Sequence, residues 1–69
     1  MNLEIIFFVE ESQEGGYVAR ALGESIFTEA ESLSELKKNV KESVLAHFED
    51  RDRPKVIRLH FVKEELLTV

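Results

Sequence analysis

The side chains able to carry chemistry in this 69-residue chain are fourteen acidic residues, two histidines and a pair of adjacent glycines, with no cysteine to support them. Carboxylates at Glu4 or Glu10, at Glu42, and at Glu64 or Glu65 fall so that a first strand, a helix and a last strand could each supply one. Two divalent cations held by such a set could hydrolyse a phosphodiester. That centre needs convergence, and the spacing argues against it. Glu4 alternates with Ile6 and Phe8, Glu10 closes the same apolar run, and Glu42 falls away from the apolar stripe of its helix. Solvated carboxylates in an acidic chain are the simpler expectation. His47 lies in an apolar arc near a helix C-terminus, where the dipole also favours a cation, and is expected to be packed and hydrogen-bonded. His60 shares a strand face with Arg58, on an interface or a solvated surface. Without a cysteine or a serine in a nucleophile elbow, no triad can be assembled. No catalytic residue, metal ligand or cofactor is expected, and the chain reads as a non-enzyme.

The glycines Gly15 and Gly16 stand in the run Gln13-Glu14-Gly15-Gly16-Tyr17-Val18-Ala19-Arg20. A phosphate-binding loop places its glycines between a strand and a helix N-terminus, whose free N–H groups meet the anion. Here an apolar strand-like run follows instead, and no Lys-Ser or Lys-Thr is adjacent. The pair is expected to form a hairpin corner, with Gly15 or Gly16 supplying positive φ.

The elements that position these groups follow from periodicity. Residues 3–9, Leu-Glu-Ile-Ile-Phe-Phe-Val, are β-branched and aromatic and too short for a helix. Alternation puts Leu3, Ile5, Phe7 and Val9 on one side and Ile6 and Phe8 on the other, which predicts a central strand covered on both faces. Residues 17–22 and 25–30 read as two further strands with a corner at Gly23 and Glu24. Ser32, followed three residues later by Glu35, predicts a capping box in which the hydroxyl accepts from the Glu35 N–H and the carboxylate reaches back. Leu33, Leu36, Val40, Val44 and Phe48 then recur at helical spacing, predicting a helix over 33–49. The charged turn at 49–53 and Pro54 end it. Residues 56–62 return to alternation as a fourth strand, which residues 66–69 are expected to prolong past a bulge at Glu64 and Glu65.

The order β-β-β-α-β predicts an α+β fold: a four-stranded, mostly antiparallel sheet with one helix on one face. Crossover rules return the fourth strand beside the first and parallel to it. The sheet face bearing Ile6 and Phe8 then has no cover within one copy, and an interface is expected at Ile6, Phe8 and Tyr17, with Val56 or Val62 on the fourth strand.

Composition agrees with that expectation. A chain of 69 residues is one domain of a size at which a lone core leaves little net stability. With no cysteine, neither a disulfide nor a thiolate zinc site can help, so a homo-oligomer, dimer or tetramer, is expected. Nine basic against fourteen acidic residues give a net charge of −5, which disfavours direct contact with nucleic acid or an anionic membrane and favours a basic protein. No basic n-region opens the chain, and no apolar run approaches the ~18 residues of a membrane span. A cytoplasmic protein is the simplest expectation.

The residues Glu14-Gly15-Gly16-Tyr17-Val18-Ala19, then Phe27-Thr28, then Ser32-Leu33-Ser34-Glu35-Leu36 and the helix through Val44 together resemble the HicB family of antitoxins. The likeness covers roughly the first fifty residues. It implies a truncated ribonuclease H-like domain with the order derived above, non-catalytic and dimeric or tetrameric, which in complete systems masks a small basic mRNA-cleaving toxin, HicA. Leu22-Gly23-Glu24-Ser25-Ile26 stands where that family usually carries a segment ending Leu-Pro-Gly-Cys. With the chain ending at Val69, no C-terminal DNA-binding domain is expected, and the chain looks most like the short, solitary members.

Overall fold

In a computed structural model describing residues 3–69, the chain forms β1 (Glu4–Glu11), β2 (Tyr17–Ala21), β3 (Phe27–Ala30), α1 (Leu33–His47) and β4 (Val56–Phe61). The sheet order is β3-β2-β1-β4. β1 pairs antiparallel with β2, β2 antiparallel with β3, and β4 lies parallel to β1. The expected α+β order and the return of the last strand beside the first are both present.

Both glycines of the first corner adopt positive φ, 99° at Gly15 and 82° at Gly16. The turn closes through Gly15 N–H donating to the Ser12 carbonyl (3.0 Å) and Ser12 N–H donating to the Gly16 carbonyl (2.9 Å). Ser12 Oγ also accepts from the Glu14 N–H. Because this turn is tight, β1 runs two residues beyond its expected end, with Glu10 facing Val18 and Glu11 facing Tyr17. Charged side chains do not stop a strand whose backbone still has a partner.

The helix begins on Ser32, whose Oγ accepts from the Glu35 N–H at 3.2 Å. Only that half of the expected capping box forms: among the described residues the Glu35 carboxylate makes no return bond, and Ser34 Oγ lies 3.4 Å from Ser32 Oγ. The helix stops at His47, two residues short of the expected end, because Phe48 turns to an extended conformation (φ −108°, ψ 143°) while its N–H still donates to the Val44 carbonyl. α1 lies over β2 and β3. Leu36, Val40 and Val44 enter a core shared with Ile5, Phe7, Val9, Ala19, Ala21 and Ile26. The alanines leave room beneath the helix, and Phe7, fully buried, is the largest side chain there. Asn39 Nδ2 donates to the Glu29 carbonyl (3.1 Å), which ties the helix to the edge strand β3.

Two strand expectations are corrected. The third strand begins at Phe27, not Ser25, although Ile26 is buried and its carbonyl accepts from the Ala21 N–H. Residues 66–69 do not prolong β4: no strand is assigned beyond Phe61, and every residue from there to Val69 is exposed. The physical reason lies in β1. Val62 N–H still reaches the Val9 carbonyl (2.8 Å), but β1 turns away into its hairpin at Ser12 and offers the departing chain no further backbone.

A Cβ on Gly16 would sit 2.7 Å from the Ala30 carbonyl oxygen, whereas one on Gly15 meets nothing within 4 Å. Gly15→Ala should therefore lose only the left-handed backbone penalty, about 1–2 kcal/mol, and Gly16→Ala about 1–3 kcal/mol more as strand and turn are forced apart. Urea denaturation of the two variants checks the ordering; equal losses would mean that the Ala30 contact relaxes freely. Ser32→Ala should cost about 1 kcal/mol through the lost cap, read from the same titration.

Candidate functional site

Successive side chains of a strand point to opposite faces, and β1 is apolar on both. Ile5, Phe7 and Val9 point to the helix, joined from β4 by Ile57 and Leu59, which face Ile5 and Phe7 in register. Ile6 and Phe8 point the other way, onto a face that no element of the described chain covers. The register writes this open face out row by row. Phe27, Arg20, Phe8 and His60 lie across all four strands in one row, and Ile6 faces Arg58 in the next. Val56 faces Glu4 beyond that, and Leu22, whose N–H donates to the Ile6 carbonyl, continues the Ile6 row.

Ile6 and Phe8 are half-buried, because their own neighbours roof them in part. The His60 ring stands edge-on to Phe8, centroids 5.4 Å apart at 87°. Long cationic side chains cover apolar surface with their stems while the charge stays in water, and Arg20 and Arg58 flank the pair. Arg58 Nε also donates to Glu4 Oε1. The apolar side chains at the margins have no such roof: Phe27, Leu22 and Val56 are each more than half exposed. The face therefore mixes apolar side chains with cations (Arg20, Arg58) and anions (Glu4, Glu10, Glu29).

Of the residues expected at an interface, Ile6, Phe8 and Val56 share this face. Val62 follows β4 and is 43% exposed. Tyr17 is not with them. It faces Glu11 across the hairpin and Ala30 on β3, on the helix side, and packs against the core. The chain alone could not place it, since the length of the turn decides on which face β2 begins. Phe27, Leu22 and Arg20 went unassigned for the same reason; once the turn closes on Gly16, Tyr17, Ala19 and Ala21 fall on the helix side and Arg20 and Leu22 on the open face, and Phe27 follows through its pairing with Arg20.

The carboxylates do not converge. Glu4 and Glu10 belong to the open face, whereas Glu42 is exposed on a helix lying across the sheet from them. Glu64 and Glu65 are exposed beyond β4. His47 is exposed rather than buried in the arc; its Nε2 lies 3.1 Å from Glu24 Oε1, and its ring stacks edge-on against Phe48. A crevice of about 230 Å³ between the β2–β3 corner and the helix end includes Glu4 and Glu24 in its lining. Both acids are already engaged, by Arg58 and His47. Among the described residues no three His, Asp or Glu side chains gather as a metal centre would need, and no helix is long and apolar enough to cross a membrane.

No protein-family model matches the chain, and no solved structure matches it significantly. Two curated relatives do. A UPF0150 protein of Archaeoglobus fulgidus is 60% identical over 52 residues, covering 75% of this chain and 77% of that protein. A UPF0150 protein of Thermotoga maritima is 38% identical over 66 residues, covering 96% of this chain and 93% of the relative. An alignment that runs through nearly the whole of both chains spans all four strands and the helix, and on that ground this chain belongs to the UPF0150 family.

Proposed function

We propose that this chain is a non-catalytic, HicB-like protein-binding domain of the cytosol that works as a homo-oligomer, dimer or tetramer, through the open face of its sheet. The observation that carries this reading is the row of Phe27, Arg20, Phe8 and His60 beside Ile6, Leu22 and Val56, with no element of the described residues above it. Covering Ile6 and Phe8 would stabilise the fold by roughly 1.5–3 kcal/mol per side chain, a large share of what so short a chain holds in reserve. A second copy is a fitting cover. The face carries anions and cations in comparable number, so two copies related by a twofold axis can set Arg20 and Arg58 of each against Glu4, Glu10 and Glu29 of the other. Isologous contact requires that self-complementarity.

A second reading, a HicB-type antitoxin that masks a small basic toxin, is favoured by the net charge of −5. The solitary domain is preferred because the same span makes up 93% of the Thermotoga maritima relative, leaving little of that protein for an operator-binding part.

Light scattering on the purified chain should give a mass of two or four copies. Phe8→Asp puts a charge at the centre of the face and should lower that mass while reducing stability by about 1–3 kcal/mol. An unchanged oligomer would remove the open face as the interface. Affinity capture from native lysate separates the two readings: a stoichiometric, small basic companion supports toxin masking, and recovery of the chain alone supports the solitary oligomer.

A further inference from the structure

The two edges of the sheet differ in how far their backbone is already satisfied. β3 is the shorter, four residues from Phe27 to Ala30. The Ala21 N–H donates to the Ile26 carbonyl, so alternation from that pair turns the backbone of Phe27 and Glu29 outward. Asn39 Nδ2 already occupies the Glu29 carbonyl (3.1 Å), and Glu24, Glu29 and Glu31 make this edge acidic. β4, Val56–Phe61, forms the other edge. Val56 N–H donates to the Leu3 carbonyl and Val62 N–H to the Val9 carbonyl. The even-numbered residues of β4 therefore face β1, and Ile57, Leu59 and Phe61 turn their N–H and C=O groups outward. Among the described residues no further strand pairs with these groups and no turn or loop bond reaches them. Unpaired strand backbone of this kind is a template for another extended chain.

The charge along β4 runs against that of the molecule. Residues 53–63 contain Arg53, Lys55, Arg58 and Lys63 and no acid, in a chain of net charge −5. Arg53 is held by Asp50 at 3.0 Å. Arg58 pairs with Glu4, yet its side chain remains 63% exposed. Lys55 and Lys63 are exposed at the two ends of the strand, and no ion pair engages them among the described residues. The sides of β4 also differ: Ile57 and Leu59 are half-buried against the core, whereas Arg58 and His60 are exposed on the open side.

We propose that the outer edge of β4 takes up, by strand addition, an extended segment of another polypeptide whose alternate residues are apolar and acidic. The segment's backbone completes the hydrogen bonds of Ile57 and Leu59, while its side chains supply the specificity. Successive residues of a strand point to opposite faces, so its apolar residues extend the core beside Ile57 and Leu59 and its carboxylates lie beside Arg58, between Lys55 and Lys63. A second copy is a poor occupant. β4 against β4 brings two cationic strands together, and β3, the acidic edge of a copy, is short and has its Glu29 carbonyl taken. A nucleic acid would answer the cations but offers no ladder of N–H and C=O groups to the strand. The edge lies in the plane of the sheet, so this inference goes beyond the open-face association proposed above and does not depend on it.

The probe is a blocked, fluorescent peptide of alternating valine and glutamate, about eight residues long, within the ordinary range of a strand. Anisotropy titration against the full chain should show saturable binding below about 1 mM. The same peptide with glutamine for glutamate should bind roughly tenfold more weakly, as should the original peptide to the chain carrying Lys55→Glu with Lys63→Glu. Both lysines are exposed, so circular dichroism of that variant should be unchanged. Of two peptides N-methylated only at the valines or only at the glutamates, one should lose binding, because a single set of amides faces β4. Absence of saturable binding, equal affinity for the glutamine peptide or for the lysine variant, survival of both methylations, or preference for a thymidine oligonucleotide of equal length overturns the proposal. Light scattering on the same samples reads the assembly: an oligomer that ignores the peptide strikes the edge alone, and a monomer that binds it strikes the open-face reading alone.

Discussion

One helix about 10 Å across has to cover a sheet whose four strands, spaced about 4.8 Å apart, span roughly 19 Å. The width mismatch, together with a central strand that is apolar on both sides, sets most of what is particular about this molecule. α1 resolves it by sitting over β2 and β3, where Ala19 and Ala21 let it approach and where Asn39 anchors it to the Glu29 carbonyl. The cost of that position appears at β4, whose helix-side residues are only partly buried at Ile57 and Leu59 and half exposed at Phe61. Among the described residues the opposite face has no helix. Its central side chains, Ile6 and Phe8, are flanked in register by Arg58 and Arg20 and, at Phe8, by the ring of His60.

The parts of this arrangement that were legible in the chain are those governed by local rules. Positive φ at the glycine pair, the Ser32 cap and the stripe from Leu33 to Val44 each follow from chemistry within a few residues, and each formed. So did the opposite facing of Ile6 and Phe7, which needs only the alternation of a single strand. What the chain concealed depends on matching one element to another. Tyr17 was expected beside Phe8 because parity across the hairpin is undetermined until the Ser12–Gly16 turn is known; closing that turn one residue differently would move all of β2 to the other face. The C-terminal segment was read as a continuation of β4 because Leu66 to Val69 are good strand formers. Propensity cannot report that the neighbouring strand has already turned away.

The candidate site was legible in kind but not in extent. Ile6, Phe8 and Val56 were identified from their alternation, whereas Phe27 and Leu22, on β3 and just beyond β2, are linked to them only through the register of two intervening ladders. The same ladders separate the acidic residues. Carboxylates that look convergent along the chain, Glu10 and Glu42, are placed on opposite sides of the sheet by the parity of β1, and a single sheet of this kind cannot bring them together without inverting its core.

The two uncovered surfaces differ in character, and that difference bears on what each is suited to meet. The open face is broad, with apolar side chains threaded among charges of both signs, so a partner must match a pattern; a wrong partner leaves Arg20 or Glu10 desolvated and unpaired. The helix-side margin is narrow, apolar at Val9, Tyr17 and Phe61 but rimmed by Glu10, Glu11, Lys63 and Glu64. Covering it would mean pairing those four charges as well, which makes it the less favourable of the two surfaces to bury.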